Sequence, residues 1–197
     1  FVPYARPSGL THDEYTKIAR DRFEKMGFEL KSINEEKNPL VSVHKSEAIF
    51  IGGGNTFVLL DSLYEHRVMD EIRDRVSRGI PYIGTSAGSN VAGRTIMTTN
   101  DMPIVYPPSF DALDLVPFNI NPHYLDPDLT SEHQGETRET RIKEYHVFND
   151  NTVVALREGA MLHVADDHIT LKGCTGARIF RKGQEPTEHQ PEESLDF

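Results

Sequence analysis

The chain has 197 residues, which is room for one domain with a substantial core and hardly for two. Hydrophobic residues at 37%, charged residues at 26%, 14 Gly and 12 Pro exclude a collagen-like, coiled-coil or wholly disordered chain. With 21 Lys+Arg against 31 Asp+Glu the formal net charge is -10 and no basic run stands out, so nucleic acid and anionic membrane are poor partners, and an anionic substrate would need local cations or N–H donors. No stretch approaches the roughly 18 apolar residues of a membrane span. A single cysteine, Cys174, excludes an internal disulfide framework and points to the cytoplasm; in Gly173-Cys174-Thr175-Gly176 it reads as a structural thiol in a strand-end turn.

Phe1 to Ala5 reads as a strand end running into a loop. Thr11 with Glu14 three residues on is a capping-box signature, and Tyr15, Ile18, Ala19, Phe23 and Met26 follow at helical spacing up to Gly27. A strand is expected at Phe28 to Ile33, then a polar turn through Asn34 to Pro39. Ala48-Ile49-Phe50-Ile51 flows straight into Gly52-Gly53-Gly54-Asn55, the pattern of a buried parallel strand with a loop at its carboxyl end. Helical spacing then runs from Phe57 through Val76 to a stop at Gly79, and Ile80 to Gly84 is the next short strand.

Strand and helix in alternation imply a parallel sheet with helices on its faces. Asn100 to Pro117, with four prolines, is expected to be an ordered loop over the sheet edge. Phe118 to Ile120 is a short strand ending at His123, and Thr137 to Tyr145 a helix. Val153–Leu156, Met161–Val164, Ile169–Leu171 and Ala177–Phe180 suggest a β-meander, with a polar, acidic, frayed end from Gln184. The expected fold class is therefore α/β, with three layers around a mainly parallel central sheet and a carboxyl-terminal meander, in one domain over residues 1–197.

Gly84-Thr85-Ser86-Ala87-Gly88 has the Gly-x-Ser-x-Gly form between a strand and a helix, the context in which small neighbours let the backbone turn sharply and hold the serine Oγ outward. The bland alternative is a glycine-rich turn whose serine caps the helix. The Ala87 N–H and an N–H of the loop Gly52-Gly53-Gly54-Asn55 are candidate oxyanion donors, since both loops open at strand ends. A serine needs a base, and of 9 histidines His123 is the best candidate because Asn121-Pro122-His123-Tyr124 follows a short apolar strand. His12, His66, His133 and His189 lie in polar surroundings and read as surface residues, and no Cys/His/Asp cluster has metal spacing. The acid that orients the imidazole is left open between Asp101, in the proline-rich loop, and Glu158, just past a strand, with the more rigid mount favouring Glu158 slightly.

Taken in order, Gly52-Gly53-Gly54-Asn55-Thr56-Phe57, Gly84-Thr85-Ser86-Ala87-Gly88-Ser89-Asn90, Thr98 to Ile104, Asn119 to His123 and Gly135-Glu136-Thr137-Arg138 give the chain a resemblance to peptidase E, the aspartyl dipeptidase family of serine peptidases with a class I glutamine-amidotransferase-like, flavodoxin-like fold. The resemblance implies Ser86 as nucleophile, His123 as general base, Gly54 and Ala87 as the oxyanion hole, and Asp101 or Glu158 as the third member. It implies hydrolysis of dipeptides with amino-terminal aspartate by a monomer or homodimer, with no metal or organic cofactor. It also aligns Phe1 to Ala5 with the family's second strand, so that a first strand and helix are not in this sequence. For the substrate aspartate, Arg138 is the first candidate because it opens a helix near His123, with Arg141 and Arg94 behind it. The rivals are an esterase of α/β-hydrolase type, whose triad order Ser86, Asp101, His123 also fits, and a non-catalytic binding member of the same fold.

Overall fold

The computed structural model describes residues 1–127 and 135–197. It divides into two compact units, one of Phe1–Ile96 with Asn100–Leu115, the other of Met97–Thr99 with Val116–Phe197.

In the first unit, α1 (His12–Glu24) starts on the predicted capping box: the Glu14 N–H donates to Thr11 Oγ1 at 3.2 Å and the Thr11 N–H to Glu14 Oε2 at 2.8 Å. Its inward face is narrower than the spacing suggests, with Thr16 and Ala19 buried while Ile18 and Met26 are exposed. The strand expected at 28–33 is not formed. Residues 28–32 run beside Phe1 through two bonds, Phe1 N to Lys31 O and Ile33 N to Phe1 O, and then enter a single 3₁₀ turn, Ile33–Glu35, so no ladder builds up. The polar stretch after it holds a helix, α2 (Pro39–Lys45), capped by Asn38 with proline at its first position; Asn-Pro is a start signal that polarity masked.

Strand β1 (Ile49–Ile51) pairs in parallel with β2 (Tyr82–Gly84), and Val2 bridges to Ile51 on the other side. Between them the predicted long helix is two, α3 (Thr56–Glu65) and α4 (Met69–Ser77). Arg67 takes a left-handed φ of 54° at the bend. The bend buries Leu63, Val68 and Met69 together, which a straight helix could not do, and the core gain outweighs the strain at one residue. Helix α5 (Ala87–Ala92) follows β2. The loop over 100–115 is ordered against it, with Ala112 N bonding Arg94 O and Leu113 N bonding Val91 O, both at 2.8 Å.

In the second unit, β3 (Asn119–Pro122) pairs in parallel with β4 (Val153–Leu156), in register Pro122 to Leu156. The helix expected from Thr137 forms as α6 (Arg138–Phe148), with Thr137 as its cap. All four strands expected after residue 150 are present, as β4, β5 (Ala160–Ala165), β6 (His168–Gly173) and β7 (Ala177–Phe180), but they interleave. β7 returns to pair with β4, while the β5–β6 hairpin forms a separate ladder. The end is not frayed: β8 (Thr187–His189) joins β7, and β9 (Ser194–Leu195) joins β6 with Leu195 buried. Leu195, the Phe197 ring on Phe118 at 4.2 Å and backbone pairing order a polar tail. His133 lies outside the described residues. Among the described residues, no helix is long and apolar enough to cross a membrane.

Candidate active site

Ser86 sits between β2 and α5 with φ 54° and ψ -110°, a sharp turn that an L-residue adopts only where the surroundings impose it. Its side chain makes no capping bond to α5, so the serine is not there to cap. The turn is enforced by packing. A Cβ on Gly88 would stand 2.2 Å from the Ile51 carbonyl oxygen, and the Tyr82 hydroxyl, its ionisation pushed up by burial, donates to the Gly88 carbonyl at 2.6 Å. Ala87 is the first residue of α5, and its N–H is one of those that a helix leaves without an internal partner. Gly88→Ala would set a methyl against backbone that cannot retreat. We expect a loss of about 3 kcal/mol of stability, at the upper end for overpacking, seen as a lowered Tm, with slower labelling of Ser86 by a fluorophosphonate.

The glycine loop lies against this turn. A Cβ on Gly53 would approach Ser86 Cβ to 2.9 Å, so contact with the serine depends on a bare backbone there. Gly54 has φ 148°, and a Cβ on it would meet the Ala5 carbonyl oxygen at 2.1 Å. The loop is pinned by Gly53 N to Tyr15 Oη at 2.9 Å and Asn55 N to Ala5 O at 2.7 Å. Tyr15 is a residue that sequence reasoning counted only as helix packing. Over its ring, 4.7 Å from the centroid, lies the guanidinium of Arg6, whose Nε is buried without a hydrogen-bond partner among the described residues.

In the second unit, His123 follows β3 with φ 56°, and its Nδ1 meets Glu158 Oε1, which follows β4. The parallel register that sets Pro122 beside Leu156 carries the two side chains to the same strand ends. With His123 51% and Glu158 76% exposed, water screens the pair and it adds little to stability, so its consequence is the orientation of the ring. The Tyr124 N–H bonds Leu156 O at 2.9 Å. Arg157 forks onto Asp126 with bonds of 2.8 and 2.7 Å and reaches Glu188 at 3.0 Å. That fork holds the Asp126 carboxyl below its ordinary range and ties the segment after His123 to the turn bearing Glu158. Neither Asp126 nor Arg157 carries a motif that would single it out.

The remaining candidates have partners of their own. Asp101 faces Thr56, whose N–H and hydroxyl both donate to its Oδ2, at 2.8 and 2.6 Å. Arg141 is exposed and 3.8 Å from Glu136; Arg94 is 3.5 Å from Asp114. Arg138 opens α6, and the acid beside it, Glu139, is held by Arg178 and Lys143. Of the other histidines, His66 stacks on Tyr4 at 4.7 Å and His189 pairs with Glu193.

The sequence has close relatives. A protein of Drosophila melanogaster named "Probable alpha-aspartyl dipeptidase" is 48% identical, over 100% of this chain and 81% of its own length. A peptidase E of Streptomyces coelicolor is 47% identical over 95% of this chain and 76% of its own length. Among solved structures, a peptidase from an acI-B1 Actinobacterium superposes with a TM-score of 0.73 at 19% identity, over 100% of this chain and 82% of that one, so the fold is shared. The model of peptidase family S51 matches residues 1–172. The chain belongs to peptidase family S51 and is a serine-type peptidase.

Proposed function

We infer that the protein is a serine dipeptidase that hydrolyses dipeptides after an amino-terminal aspartate. The observation that carries the serine chemistry is the strained, uncapped Ser86 lying against the bare backbone of Gly53, and the aspartate is supported by the likeness to the alpha-aspartyl dipeptidase. In the proposed reaction Ser86 Oγ attacks the aspartyl carbonyl carbon and passes its proton to His123 Nε2, the ring nitrogen opposite the one that meets Glu158. The Gly54 and Ala87 N–H groups take the oxyanion. Collapse breaks the C–N bond, and the leaving amine collects the proton from His123. Water then attacks the acyl-enzyme with His123 as base, releasing aspartate and restoring the serine. Glu158 is the third member in this reading, accepting from Nδ1–H and balancing the charge on the ring during transfer. The free Cys174 agrees with work in the cytoplasm.

The substrate carboxylate needs a cation in a protein of net charge -10. Arg138 remains the first choice; Arg6 is a second, favoured by its place on Tyr15 beside the glycine loop. Arg138→Ala is expected to raise KM for Asp-Leu roughly 10- to 100-fold, as for loss of a charged hydrogen bond, with little effect on Asn-Leu. Equal loss on both substrates removes Arg138 from this role, and a selective loss in Arg6→Met instead assigns it to Arg6. The reading as a whole is tested by titration with a fluorophosphonate: one mole of adduct per mole of chain, mapped to the peptide carrying Ser86, supports it, and an unreactive serine in folded protein points to a non-catalytic member.

A further inference from the structure

We propose that Asp101 is a positioning residue, which clamps the glycine loop to α5 and so holds the Gly54 N–H in place against Ser86. The proposal rests on the reading of Ser86 as nucleophile and Gly54 as oxyanion donor. Thr56, the first residue of α3, follows directly on the loop Gly52–Asn55, and it gives both its N–H and its hydroxyl proton to Asp101 Oδ2. A hydroxyl has one proton, so Thr56 Oγ1 accepts from Asn90 Nδ2, at 3.1 Å. Asn90 is on α5, one turn beyond Ser86, and accepts a second restraint there, its N–H bonding Ser86 O at 3.0 Å. A parallel tie runs from Asn55 Nδ2 to Met102 O at 2.9 Å.

The order Asp101, Thr56, Asn90, Ser86 is therefore a chain of directed hydrogen bonds and one helical turn. Thr56 and Asn90 are 0% and 3% exposed, so water does not compete for the bond between them, while Asp101 is half-buried. Charge-assisted, shielded bonds of this kind fix geometry more firmly than a neutral surface contact does. An oxyanion donor acts only if it stands where the oxygen develops charge, and a misplacement of about 1 Å can cost about 100-fold in rate. Asp101 is thereby separated from the role of Glu158: its Oδ2 acts on the backbone that bears the N–H donors, and Glu158 acts on the imidazole.

Asp101→Asn, Asp101→Ala and Thr56→Val, each with a thermal melt, test this through Asp-Leu kinetics and through the rate at which a fluorophosphonate labels Ser86. An asparagine oxygen can accept both Thr56 donors, so Asp101→Asn should keep kcat within about tenfold of wild type with an unchanged pH profile. Asp101→Ala should lose about 100-fold in kcat with KM little altered, and Thr56→Val, which keeps the N–H bond, should fall between. Labelling rates should follow the same order. Asp101→Asn falling as far as Asp101→Ala overturns the proposal, because a charge would then be required, as it is of a triad acid. Wild-type kcat and labelling in Asp101→Ala overturn it as well. If Asp101→Ala does not fold, a Thr56→Val variant that folds and keeps wild-type kcat and labelling has the same consequence. Failure of wild type to cleave Asp-Leu refutes the aspartyl reading alone, since the labelling order still reads the clamp.

Discussion

Ser86→Ala is expected to lower kcat for Asp-Leu by about 10⁶-fold, the scale on which serine hydrolases lose rate without their nucleophile, while the melting temperature stays close to wild type. The reason lies in what the side chain does and does not touch. Ser86 makes no capping bond, and the turn that holds it is built from Gly88 against Ile51 and from the Tyr82 hydroxyl on the Gly88 carbonyl. Removing Oγ therefore takes away no structural hydrogen bond. Substrate affinity should survive, because the atoms proposed to bind the dipeptide belong to other residues. A Ser86→Ala protein that is markedly less stable and still turns over would place the chemistry on another residue.

The second large effect is at the acid. Glu158→Gln should lower kcat by about 10⁴-fold with KM nearly unchanged, the size seen when the orienting acid of a triad becomes an amide. Glutamine is isosteric and can still meet Nδ1, but it brings no charge to balance the imidazolium, and its NH₂ end would favour the wrong tautomer. Stability should barely change, because the pair is largely exposed and screened. The pairing of Glu158→Gln with Asp101→Asn is informative: the account predicts a large loss in the first and a small one in the second. The reverse result would make Asp101 the triad acid, with Glu158 a surface partner of His123.

The candidate serine turn, glycine loop and histidine can be placed at strand ends from the sequence, for a physical reason. The elbow, the glycine loop and the histidine all sit at strand ends, where a short apolar run gives way abruptly to glycine or to Asn-Pro-His, and such junctions are local. The capping box at Thr11 was legible because it too is local. What could not be read is non-local. The choice between Asp101 and Glu158 depends on which strand lies beside which, and nothing in Leu156-Arg157-Glu158 says that β4 runs parallel to β3 in register with Pro122. The Arg157 fork on Asp126 and the bonds from Thr56 to Asp101 join residues 31 and 45 apart in sequence. The bend at Arg67 has no glycine or proline to announce it, and it exists because Leu63 and Val68 share a core. The substrate came from the family likeness and not from the residues, since an elbow and a histidine are common to many acyl-transfer enzymes.

The central claim is aspartyl dipeptidase activity, and steady-state hydrolysis by the wild-type chain of Asp-Leu beside Leu-Leu and N-acetyl-Asp-Leu tests it most directly. The account predicts turnover of Asp-Leu and little of the other two, because Leu-Leu lacks the carboxylate for the proposed arginine and acetylation blocks the free amino end of a dipeptide substrate. Equal turnover of Leu-Leu and Asp-Leu, or none of Asp-Leu by protein that melts cooperatively, would contradict it.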